Sequence, residues 1–336
     1  MSSLPPVSEV IDASLNIVLP AFLTTAIATV CGWKILNTRY VYLTAALAIV
    51  LGLLAANLCR GVFVTRFDAE KPLAIEQWGR GLLAALVGQP AQQESAESED
   101  EATANGPDTE ITSATTKSPR SGRYWIPAAI GIVVVVELLA KSLKCPARWL
   151  QLSRLAASFV AARLFVPADL AVEYPWVSWL AGGIVFLGWW VADRLSVQMR
   201  SGVASVCTVV ASFAAATILI HAHSARLTDA ATMLMAATGG LATAALWRGG
   251  QTASAAPIGA VFLPAILLAG YHETFSEVPT TAFLLPAVAP LSAGLALALP
   301  GPWRQSWRGL ITIAICVGLP AMVSVALAMR AESLSF

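Results

Sequence analysis

Gly202-Val-Ala-Ser-Val-Cys-Thr-Val-Val-Ala-Ser-Phe-Ala-Ala-Ala-Thr-Ile-Leu-Ile-His221 decides the fold. No Asp, Glu, Lys or Arg interrupts it. As a helix rising 1.5 Å per residue it is about 30 Å long, the thickness of a bilayer's hydrocarbon core. It is continuously apolar rather than alternating, so it reads as a helix and not as a barrel strand.

Working outward, the same texture recurs over 15–33, 40–58, 124–143, 149–166, 174–192, 229–247, 256–271, 281–299 and 309–329. The expected fold class is therefore all-α, a polytopic transmembrane helical bundle of about ten spans, with a range of nine to eleven. Composition agrees. The 336 residues are 57% hydrophobic and 12% charged, where a soluble domain carries about 25% charge. The formal net charge of +1 gives no reason to expect nucleic acid or a strongly acidic partner. The expected partner is the bilayer, with a second copy or another membrane protein as the open choice. Met1 to Asp12 carries no basic residue. The first stretch thus reads as a retained span rather than a cleaved secretory signal.

Tryptophan marks the boundaries. Trp33, Trp125, Trp149, Trp176, Trp179, Trp189, Trp190, Trp247, Trp303 and Trp307 all lie near the end of a stretch, where indoles favour the membrane–water interface. Trp78 belongs to a different segment, Pro72 to Val87. There Leu73, Ile75, Trp78, Leu82 and Leu86 form an apolar stripe opposite Glu76, Gln77 and Arg80. That pattern predicts an interfacial amphipathic helix over 72–87, with an eleventh span as the competitor. Residues 89–122 are acidic and rich in Ser and Thr, with Ile111 as the only large aliphatic residue, and are expected to be disordered. The chain then divides into a two-span unit with its amphipathic helix (1–88), the acidic loop (89–122) and an eight-span bundle (123–336).

Lys and Arg orient the bundle. Placing the 141–148 loop in the cytoplasm also places Lys141, Lys144, Arg148, Arg194, Arg200, Arg248, Arg304 and Arg308 there. Only Arg226 and Arg330 fall outside. The expectation is a cytoplasmic 141–148 loop and an external C-terminus, in a plasma or inner membrane. The side of the N-terminal unit is left open, because either topology puts basic residues outside.

An ionisable group inside a span is expensive and therefore the first functional candidate. Glu137 sits within Gly131-Ile-Val-Val-Val-Val-Glu-Leu-Leu-Ala140, with Lys141 one turn later. Counting inward from the 144–148 turn puts Arg154 of the next stretch at the depth of Glu137. Gln151, Arg154 and Ser158 share one face at i, i+3, i+7. A polar seam of Glu137, Lys141, Gln151, Arg154 and Ser158 is expected. It serves either as a site for a proton, ion or polar solute, or as a device that fixes helix register.

Other signals are weaker. His221, His223, His272 and Glu273 end two spans on the same expected side and form a candidate metal set of N and O ligands. Residues i and i+2 of a helix point apart, which argues against it. Cys31, Cys59, Cys145, Cys207 and Cys316 show no ligand spacing and read as small hydrophobes. Ala204, Thr208, Ser212 and Ala216 in one stretch, and Ala236, Gly240 and Ala244 in the next, recur every four residues and predict close packing of those two helices. Pro257, Pro264, Pro286, Pro290 and Pro320 are expected to kink theirs. No zincin, nucleophile-elbow or Walker motif occurs, so no catalytic residue and no cofactor is expected. Three function classes follow: a small-solute or ion permease built on the Glu137/Arg154 seam; a non-transporting scaffold, sensor or assembly subunit; and an intramembrane enzyme.

Overall fold

A computed structural model describes residues 11–35, 41–60, 126–249, 252–274 and 277–334. Every regular element among them is helical. The amphipathic segment 72–87 and the acidic loop 89–122 lie outside the described residues.

Twelve helices carry the labels used below. They are α1 (Ile11–Lys34), α2 (Val41–Arg60), α3 (Ile126–Ser142), α4 (Ala147–Phe165), α5 (Ala168–Glu173) and α6 (Pro175–Gln198). Then come α7 (Val203–His221), α8 (Ala225–Arg248), α9 (Ala256–Glu273), α10 (Thr280–Ser292), α11 (Gly301–Arg304) and α12 (Trp307–Leu334). A 3₁₀ turn, Ala253–Ala255, leads into α9, and another, Ala293–Ala298, extends α10.

Seven of these are long and apolar enough to cross a membrane: α1, α6, α7, α8, α9 with its leading turn, α10 with its extension, and α12. The protein is thus an all-helical, multi-pass candidate for the bilayer. The other three expected spans are helical but less self-sufficient. The apolar helical run of α2 is Thr44–Cys59. Helix α3 has 17 residues, or about 25 Å. Helix α4 has 19 residues but carries Arg154 and Arg163.

Helix α9 is the hub. Its faces meet α3, α6, α7 and α10, and Val261, Phe262, Leu263, Ala265, Ile266 and Leu267 are all within 2% of full burial. Helices α1 and α12 lie at the periphery. In α1 the buried residues Ile17, Ala21, Thr25 and Thr29 fall every fourth position, whereas Leu15, Leu19, Leu23 and Ile27 point outward. Apolar residues all round, with one buried stripe, are what a helix between protein and lipid requires.

Small residues set the packing, though not only between the two helices expected. Helices α7 and α8 do share an extensive interface. Yet Gly240 faces α1: a Cβ there would lie 2.5 Å from the Phe22 carbonyl oxygen. Thr208 faces α9, where a Cβ on Gly259 would come within 3.0 Å of its methyl. The α7 and α8 stripes therefore serve three interfaces. Ala204, Ser212, Ala216, Ala236 and Ala244 are all buried. Of the prolines, Pro264, Pro286, Pro290 and Pro320 lie inside helices, whereas Pro257 occupies the first turn of α9, where it costs no hydrogen bond.

Candidate functional site: a buried charge cluster across three helices

The α3–α4 connection is built by chain termination. Helix α3 ends with Lys144 in the left-handed region, φ 51°. The Cys145 amide reaches back to the Ala140 carbonyl (3.0 Å) and the Lys144 amide to Lys141 (3.1 Å). This double closure satisfies carbonyls that the helix end would leave unpaired. Pro146 follows and caps α4. The tight turn forces α3 and α4 antiparallel and fixes their register.

That register brings Glu137 and Arg154 together. The Arg154 Nε donates to Glu137 Oε2 at 2.9 Å and its Nη2 to Glu137 Oε1 at 2.7 Å. This is the two-pronged geometry that suits a guanidinium to a carboxylate. Lys141 Nζ lies 2.7 Å from the same Oε1. Glu137 is 0% exposed and Arg154 1%. Arg154 stands seven residues into α4, about 10 Å from its start.

A third helix completes the cluster. The remaining Arg154 prong, Nη1, donates to Asp193 Oδ2 of α6 at 3.0 Å. One turn earlier on α6, the fully buried Trp189 lies under the guanidinium, 5.4 Å from ring to Cζ. The cluster matches two carboxylates, Glu137 and Asp193, with two basic side chains, Arg154 and Lys141. Its inner pair is sealed, and its outer members, Lys141 and Asp193, are each 22% exposed.

Ser158 is buried, but its hydroxyl donates back to the Arg154 carbonyl (2.8 Å), so it braces α4 rather than the ion pair. Among the described residues, the buried Gln151 Oε1, Trp189 Nε1 and Ser254 Oγ find no hydrogen-bond partner. At the adjoining helix ends, Ser196 and Thr252 approach to 3.4 Å. The 3₁₀ turn at 253–255 packs against α2, α3 and α6.

Asp193 and Trp189 are the members that sequence reasoning missed. Asp193 lies just past the 174–192 stretch and beside Arg194, where it reads as an ordinary interfacial residue. The available signal was depth. Asp193 stands five residues from the end of α6, about 7.5 Å in, close to the level of Arg154.

The histidine set does not assemble. His272 pairs instead with Asp169 of α5, Nε2 to Oδ2 at 2.8 Å. His223 is exposed and holds the left-handed position, φ 58°, that terminates α7. Among the described residues no group of three His, Cys, Asp or Glu could hold a metal ion. Burial raises the Asp169 pKa, but the hydrogen bond and charge of His272 outweigh it, so the carboxyl sits below its ordinary value. All five cysteines are free thiols, and Cys207 is buried.

In kind, this is a multi-helix membrane protein with an internal, compensated charge cluster. Compared with protein-family profiles, curated proteins and solved structures, the chain matches none of them.

Proposed function

We propose that the protein is a non-transporting membrane scaffold or assembly subunit that crosses the bilayer ten times. In this reading the Glu137–Arg154–Asp193 cluster is a clamp that locks α3, α4 and α6 in register. One observation carries it: Glu137 is 0% exposed, with both oxygens held by Arg154 and one also by Lys141. Three donors on a carboxylate with about four acceptor positions leave a single open one, on Oε2, and the side chain is shut off from solvent. Compensated charge also explains how α3 and α4 tolerate the membrane. An unpaired central Arg costs about 2.5–3.5 kcal/mol on the insertion scale, and pairing inside the bundle removes most of that. The proposed orientation keeps the 141–148 turn cytoplasmic and the C-terminus external, as the basic residues favour. Chain 1–88 supplies the first two spans, and its helices α1 and α2 pack on α8 and the 253–255 turn.

A second reading, a small-solute or ion permease, draws on the partial exposure of Asp193 and Lys141 and on Trp189 Nε1, which has no partner among the described residues. There Asp193 would leave Arg154 to accept a proton or cation. Glu137→Gln separates the two readings. The clamp requires a large loss of folding stability. A variant that folds as well as the parent protein would leave Glu137 with a solute-handling role and overturn the clamp.

A further inference from the structure

Three Trp-Arg steps punctuate one end of the bundle: Trp247-Arg248, Trp303-Arg304 and Trp307-Arg308. The last two form a tandem spaced by four residues, across the junction of α11 and α12. All three tryptophans are exposed, at 72%, 46% and 65%. The Arg308 guanidinium serves two indoles at once, 4.7 Å from the Trp303 ring and 5.9 Å from Trp307. Arg248 stacks on Trp247 at 4.8 Å, and Arg194 of α6 on Trp190 at 5.7 Å.

The short helix α11 is pinned rather than loose. Arg304 Nε donates to the Leu299 carbonyl at 2.7 Å and Nη1 to Gln198 Oε1 at 2.5 Å. Gln198 is one turn from Arg194 on α6, which brings Arg194, Arg304 and Arg308 to one region. Arg304 is spent on this anchoring. Arg194, Arg248 and Arg308 are exposed, and among the described residues none of them pairs with a carboxylate. Among the described acids, Glu137 of α3 and Asp193 of α6 are committed to Arg154. The surface thus holds cations in fixed positions, backed by aromatic rings, with no carboxylate among the described residues paired to them.

We propose that this surface, centred on Arg308 between Trp303 and Trp307, binds the phosphate headgroup of an anionic phospholipid. Charge complementarity supports the assignment. So does architecture: indoles settle at the headgroup level and hold the guanidinium there with its N–H donors free for phosphate oxygens. A zwitterionic headgroup offers no net charge to match. The proposal concerns a surface separate from the buried seam and stands whether that seam is a clamp or a solute site.

The full chain in nanodiscs of phosphatidylcholine alone, or with a fraction of phosphatidylglycerol, provides the test. Bound phosphatidylglycerol is counted by native mass spectrometry. The wild type should retain phosphatidylglycerol preferentially. Arg308→Gln should weaken that retention about fivefold, the scale of one cation at an anionic surface. Lys144→Gln, a charge at the same end with no aromatic cradle, should change it far less. Equal losses in the two variants would mean that only overall surface charge matters, and would overturn the site. Unchanged retention in Arg308→Gln, or no preference for phosphatidylglycerol in the wild type, would overturn it as well. Trp303→Ala should reproduce part of the Arg308→Gln loss, since it removes the nearer ring. Free inorganic phosphate at millimolar concentration should not displace the lipid; displacement would assign the site to a soluble anion instead.

Discussion

Replacing Arg154 by Met should destabilise the fold severely, and replacing Glu137 by Met in the same chain should restore it. Arg154 makes three hydrogen bonds to two carboxylates at 2.7–3.0 Å while 1% exposed. Losing it leaves Glu137, at 0% exposure, with Lys141 alone. Breaking a buried pair from one side costs about 3–5 kcal/mol. Coulomb's law gives a matching scale, about 4 kcal/mol for unit charges about 4 Å apart at an effective dielectric near 20. With both charges gone, Met–Met fills a similar volume. The remaining ions, Lys141 and Asp193, are each 22% exposed and can turn toward the interface. The double variant should therefore lie within about 1 kcal/mol of wild type, or above it, as apolar replacements of buried pairs often do. The coupling energy should exceed about 3 kcal/mol, which is more than 100-fold in the folding equilibrium. Unfolding by SDS titration in mixed micelles would measure it, followed by tryptophan emission, since Trp189 stacks on Arg154. If Arg154→Met does not accumulate, recovery of folded protein in the double variant carries the same information. Additive losses in the double variant would rule out the ion-pair clamp, because they would mean that each side chain acts through packing and not through its partner.

Further expectations follow from the same geometry. Asp193→Asn should cost about 1 kcal/mol in the same titration, well below the loss for Arg154, because its carboxylate is partly solvated and Asn still accepts from Nη1. Gly240→Ala should lower stability by about 1–3 kcal/mol, since its Cβ would press on the Phe22 backbone, whereas Gly131→Ala, with nothing within 4 Å, should be neutral or mildly stabilising. Lys144→Gly should raise stability by up to about 1 kcal/mol by relieving a left-handed Lys at the end of α3. The lowered Asp169 pKa means that its contribution is present above the ordinary carboxylate range and fades as pH falls through the folded value. His272→Ala should shrink that acid-side loss while changing neutral-pH stability by less than about 1 kcal/mol, since the pair is largely exposed.

What the sequence revealed, and what it hid, has a physical pattern. Apolar length alone places helices at all ten stretches, because a hydrogen-bonded helix is the only economical backbone for such runs in lipid. The Glu137–Arg154 approach was legible because one tight turn joins their helices, so residue counting measures depth. Asp193 was not, since α5 and its connections stand between α4 and α6 and counting loses the rotation of α6 about its axis. The same limit explains Gly240. Its stripe announces a close approach without naming the partner, and the partner is α1, from the far end of the chain. His272 looked like one of a ligand set because helix ends cluster at an interface; the packing of α5 beside α9 pairs it with Asp169 instead.

Water access at Ser158 decides whether the seam is sealed. Ser158 is 0% exposed and one turn deeper than Arg154. In a background lacking the five native cysteines, Ser158→Cys would be exposed to a membrane-impermeant thiol reagent applied from both faces. The clamp predicts no modification of the folded protein, full modification after unfolding in SDS, and ready modification of a Lys144→Cys control at the turn. Modification at position 158 in the folded protein would reveal a hydrated path to the seam and rule out the clamp.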